Sequence, residues 1–73
     1  MNGITATGTI KRVKIDSGFG FIARGEGLED VFFHVCDLAP DLDWDETLTE
    51  RHVRFEIVET AKGPRAANVR PAA

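Results

Sequence analysis

The strongest constraint on this chain is that its apolar residues nowhere recur with a helical period for more than two turns. They come in short runs rich in β-branched and aromatic types, divided by turn residues. Residues 6–15, Ala-Thr-Gly-Thr-Ile-Lys-Arg-Val-Lys-Ile, precede the turn Asp16-Ser17-Gly18. Residues 19–24 and 30–35 are two further strand candidates, separated by Gly25-Glu26-Gly27. Residues 52–59 alternate cleanly, with Val53, Phe55 and Ile57 inward. After the turn at Lys62-Gly63-Pro64, residues 65–70 form a fifth run with Ala67 and Val69 inward. Residues 37–51 read as a long polar connection with room for one helical turn, and 71–73 as a frayed tail. Five short strands leave edges that must be hidden, and closure into an all-β, antiparallel barrel hides them.

Other classes fall away. At 73 residues the chain has room for one core, so residues 1–73 are expected to form a single domain. No apolar run approaches the ~18 residues of a membrane span, and no basic segment followed by an apolar one opens the chain. Its one cysteine, Cys36, has no internal disulfide partner. A cytoplasmic location is the expectation. The net charge of −3 is unevenly spread: residues 1–35 are neutral, 36–50 carry −6 and 51–73 carry +3. An acidic total argues against gripping duplex DNA mainly through phosphates. It leaves open a binder that works through flat apolar contacts.

The rings are in surplus. Strand alternation puts Phe19 and Phe21 on one face and Gly20 and Ile22 on the other; likewise Phe32 and His34 oppose Val31 and Phe33. Ile22, Val31, Phe33, Val53, Phe55, Ile57 and Val69 already supply a core for this length. Phe19, Phe21 and Phe32 are left over. Either they overfill one side of the core, or they form an exposed platform with His34 on which unstacked bases lie. Gly18 and Gly20 flank the first ring, and their missing side chains let a backbone or a base approach closely. Ile10 should be core, yet Arg12 and Lys14 share its parity, so a bulge is expected nearby.

These residues carry a family resemblance. Ser17-Gly18-Phe19-Gly20-Phe21-Ile22 resembles the first ribonucleoprotein motif of cold-shock domains, and Asp30-Val31-Phe32-Phe33-His34-Val35 resembles the second. Gly8-Thr9-Ile10-Lys11 is similar to the family's opening. Lys62-Gly63-Pro64-Arg65-Ala66-Ala67-Asn68-Val69 is similar to its closing segment. The resemblance runs in order along nearly the whole chain. It implies a five-stranded OB-type barrel that binds single-stranded RNA and DNA with little sequence preference, commonly as an RNA chaperone. It makes Phe19, Phe21, Phe32 and His34 base-stacking residues.

The departures fall mostly in the first strand. Arg12 stands where the family has a stacking tryptophan, and Val13 where it has phenylalanine. Ser17 replaces a lysine, and Val35 an aromatic. Arginine still stacks on a base or meets phosphate; valine does neither. Lys11, Arg12 and Lys14 are the expected phosphate contacts, with Arg24 and Trp44 peripheral. Trp44 is either a further aromatic contact or a hydrophobic plug over the barrel end.

Other chemistry finds little support. Gly18, Gly20, Gly25 and Gly27 lack the strand–turn–helix context of a phosphate loop. His34 and Cys36 lack a third group to orient the histidine, and adding His52 as a metal ligand would require three distant strands to converge. Asp41, Asp43, Asp45 and Glu46 lack the central glycine and closing glutamate of a calcium loop. The expectation is a non-catalytic binder of single-stranded RNA or DNA, with no cofactor, no metal, no small-molecule substrate and no membrane association. The rival is a module of the same fold whose ring surface meets a protein partner.

Overall fold

Odd strand number decides how this barrel closes. The computed structural model describes residues 4–25 and 27–72. Its strands are β1 (Ile4–Lys14), β2 (Phe19–Ala23), β3 (Val31–His34), β4 (His52–Thr60) and β5 (Gly63–Pro71), arranged as a closed ring in the order β1-β2-β3-β5-β4. Alternating directions cannot run around a ring of five, so one neighbouring pair must be parallel. That pair is β3 and β5, joined at Phe32 and Arg65 and prolonged by a parallel bridge between Leu38 and Val69. The other four pairings are antiparallel. The expectation of a wholly antiparallel barrel is corrected to this extent.

Two bulges set which side chains face inward. In β1, Ile10 pairs with Ile22 and Arg12 with Phe21, so Lys11 is the extra residue. Parity reverses there, as expected: Ile10 is buried, while Val13 packs partly against the core. The second bulge was not anticipated. In β5, Ala67 pairs with Glu56 and Arg70 with Arg54, so Asn68 and Val69 together oppose Phe55. Asn68 has φ 54°, a left-handed conformation that asparagine adopts more readily than most side chains. The inward residues of β5 are therefore Ala66 and Val69; Ala67, expected inward, is half-buried.

Ile22, Val31, Phe33, Val53, Phe55 and Val69 are fully buried, as the alternation requires. Ile57 is only half-buried and packs against them from the side. Leu42 and Leu48 complete the core from the connection expected to be polar, which holds one 3-10 turn, Glu46–Leu48; a second, Val35–Asp37, takes up Val35, expected to end the third strand. Each large apolar side chain so buried contributes about 1.5–3 kcal/mol. The end of the chain is also tied in: Pro71 pairs with Val53 and Ala72 N–H donates to His52 O at 3.2 Å, while Ala73 lies outside the described residues. Among the described residues, no helix is long and apolar enough to cross a membrane.

Candidate nucleic-acid interface

The bulge at Lys11 and the pairing of β2 with β3 bring the leftover rings together. Phe19 lies directly across from His34, and Phe21 from Phe32. Because β2 and β3 turn Gly20, Ile22, Val31 and Phe33 inward, the side chains of Phe19, Phe21, Phe32 and His34 share the outer surface, each half-buried. The ring centroids of Phe19 and Phe21 are 5.8 Å apart, those of Phe19 and Phe32 5.5 Å, and those of Phe21 and Phe32 6.1 Å. Past the bulge, Arg12 pairs with Phe21 and Lys14 with Phe19. The Arg12 guanidinium sits over the Phe21 ring, 5.8 Å from its centroid. On the far side Arg65 pairs with Phe32. The result is a band of rings across β2 and β3 with cations on both borders.

Gly20 permits this layout from below. A Cβ there would lie 2.6 Å from Arg12 O and 2.8 Å from Phe33 Cε1. Its missing side chain makes room for Phe33 and for the β1 backbone at Arg12, so of the two close approaches expected it is the backbone's that is seen. Gly18, at φ 79°, closes the turn by donating its N–H to Lys14 O at 2.9 Å and holds β3 by accepting from Val35 N–H at 2.8 Å.

His34 is fixed in place and in tautomer. Its backbone N–H donates to Asp37 Oδ2 at 3.0 Å, and its Nδ1 accepts the Cys36 N–H at 3.2 Å. A neutral ring accepting at Nδ1 carries its proton on Nε2. Asp37 also receives Arg65 in a two-point contact, Nε at 3.0 Å and Nη2 at 3.4 Å. One carboxylate thus anchors both the histidine backbone and the cation bordering the rings.

The other expected site residues separate. Lys11 stays at the band's edge, its Nζ 3.3 Å from Asp30 Oδ2; Lys11, Arg12, Phe21 and Asp30 line one concavity of about 420 Å³. Arg24 donates Nε–H to Glu29 O at 3.0 Å and lines a separate concavity with Thr7, Thr9 and His52, apart from the rings. Trp44 donates Nε1–H to Ile15 O at 3.2 Å and meets the buried Phe33 edge-on, centroids 6.1 Å apart. Of its two readings, this is the geometry of the plug.

Sequence reasoning missed one wall of the site. Phe21, Phe32 and His34 floor a groove of about 740 Å³ whose side is the β4–β5 turn, Thr60 to Arg65. Thr60 Oγ1 accepts the Lys62 N–H at 3.1 Å and donates to Gly63 O at 2.7 Å, closing that turn. The signal lay in the closing Lys62-Gly63-Pro64-Arg65, which pairs two cations with turn residues. Asp37 was likewise hidden among solvated acids. Elsewhere in that segment, the Asp45 carboxyl is held below its ordinary range by hydrogen bonds from the Thr47 hydroxyl and N–H.

Comparison with known proteins agrees with this architecture. Residues 6–72 match the family model described as the 'Cold-shock' DNA-binding domain. The chain is 44% identical over 64 residues to a cold shock-like protein of Aquifex aeolicus, covering 86% of this chain and 89% of that protein. It is 41% identical to the cold shock-like protein CspB of Escherichia coli, covering 86% and 87%. For the cold shock-like protein CspA of Stigmatella aurantiaca the figures are 46%, 89% and 94%. Among solved structures, drosophila Unr CSD456 superposes with a TM-score of 0.76 at 22% identity over 97% of this chain. This chain spans 28% of that one, and the likeness is one of fold.

Proposed function

The chain belongs to the cold-shock DNA-binding domain family, and from that premise we propose that it binds single-stranded RNA or DNA without catalysis and with low sequence specificity. The observation that carries this reading is the cluster of Phe19, Phe21 and Phe32, centroids 5.5–6.1 Å apart on an outer sheet face. Flat rings bordered by cations suit unstacked bases, whose faces are alike and whose backbone is anionic. Phe19, Phe21, Phe32 and His34 stack bases. Lys11, Arg12 and Lys14 meet phosphates on the β1 side, and Lys62 and Arg65 border the opposite wall. Holding bases apart from one another blocks misfolded pairing, the task of an RNA chaperone working in the cytoplasm.

The test is the double variant Phe19→Ala with Phe32→Ala, measured by fluorescence anisotropy with a labelled pyrimidine-rich strand. Each lost stacking contact costs about 1–3 kcal/mol, so affinity is expected to fall by about two orders of magnitude or more, with the thermal unfolding midpoint little changed. Unchanged affinity in a folded variant would sink the stacking reading and turn the search to a protein partner.

A further inference from the structure

We propose that Arg12 turns the β1 border of the ring band into a guanine-reading position, so that this chain prefers a strand with guanine there over an all-pyrimidine one. The inference rests on the single-strand binding proposed above and adds a base preference to it. Three observations carry it. First, the Arg12 guanidinium lies over Phe21, 5.8 Å from the ring centroid, on the same face that Phe19 and Phe32 share. A base resting on the neighbouring rings meets the guanidinium at its edge. Second, among the described residues the guanidinium groups of Arg12, Arg51 and Arg54 have neither hydrogen-bond nor ion-pair partner, while Arg24, Arg65 and Arg70 do, and of the three Arg12 is the one placed over a ring of the band. Its fork of donors is available. Third, the concavity it lines with Lys11 and Phe21 also holds the Asp30 carboxylate.

Guanine is the base that answers all of these. Its O6 and N7 are adjacent acceptors that match the arginine fork. Adenine sets an N6–H₂ donor beside N7, opposing a guanidinium; thymine or uracil offers one carbonyl acceptor on that edge; and cytosine, whose unpaired O2 and N3 also meet the fork, then has no donor pair on its opposite edge. On its other edge guanine carries N1–H and N2–H₂, donors suited to a carboxylate such as Asp30.

The experiment compares labelled heptathymidylate DNA with the same strand carrying one guanine, and with one 7-deazaguanine, by fluorescence anisotropy at fixed low salt. The guanine strand is expected to bind about five- to a hundredfold tighter than heptathymidylate. That advantage should shrink with 7-deazaguanine, which lacks the N7 acceptor. Arg12→Lys keeps the charge but not the fork; whatever its affinity for heptathymidylate, it should bind the guanine strand no tighter than that, so that the ratio of the two affinities falls to about one. Equal affinity for guanine and thymine strands, or a preference that survives in Arg12→Lys, overturns the guanine proposal and leaves the ring platform standing. Failure of every strand to bind overturns both.

Discussion

Phe32 and Phe33 are neighbours in the chain with the same side chain, and the barrel gives them opposite tasks. Phe33 is buried among Ile22, Val53 and Phe55, under Gly20 and beside Trp44. Phe32 lies half-buried on the outer face with Phe19 and Phe21. What separates them is the two-residue period of a strand. A ring pointing inward contributes to stability; one pointing outward leaves apolar surface in water that a ligand can cover. The inner and outer faces of β2 and β3 should therefore respond to substitution in separable ways.

The largest effect is expected from Phe33→Ala. Removing a fully buried ring costs about 3–5 kcal/mol, a large share of the stability of so small a domain. Urea unfolding should show this loss, and a midpoint within error of the parent chain would place Phe33 outside the core. Gly20→Ala sharpens the contrast from between the faces. Its Cβ would press on Phe33 and on the β1 backbone at Arg12, and overpacking of this kind costs about 1–3 kcal/mol. If Gly20 instead served a base above the sheet, the substitution would weaken oligonucleotide binding and leave unfolding unchanged.

The smallest effect is expected at the exposed Asp45, in the connection before β4. Asp45 caps the turn Glu46–Leu48, and Thr47 stabilises its charged form. A carboxyl whose folded pKa is lowered stabilises the fold above its unfolded pKa and ceases to do so as pH falls through the lowered folded value. The thermal midpoint of the parent chain should therefore drop slightly more on acidification than that of Asp45→Ala. Identical pH profiles would remove any part for this cap.

Much of this was legible because alternation is a local property. The parity of Phe19, Phe21, Phe32 and His34 follows from adjacent residues, and the clash of Ile10 with Arg12 and Lys14 announced the bulge at Lys11. The bulge at Asn68 gave no such warning. Ala66 and Ala67 are identical side chains, so no apolar–polar conflict marked which one turns inward. Leu42 and Leu48 were masked by the acids around them, although both are buried. The β4–β5 wall and the link from Asp37 to Arg65 depend on the parallel contact of β3 with β5, which joins segments distant in sequence. Trp44 carries two readings in the sequence because a loop has no period to assign its face.

The most direct test of the outer face is an NMR titration with a short pyrimidine-rich single strand at low salt. Amide shifts are expected to cluster on residues 11–14, 19–21, 32–34 and 60–65, while the Trp44 indole N–H, bonded to Ile15 O, stays nearly still. Shifts gathered instead around the acidic connection, or none at millimolar strand, would contradict the assignment of these rings to nucleic acid.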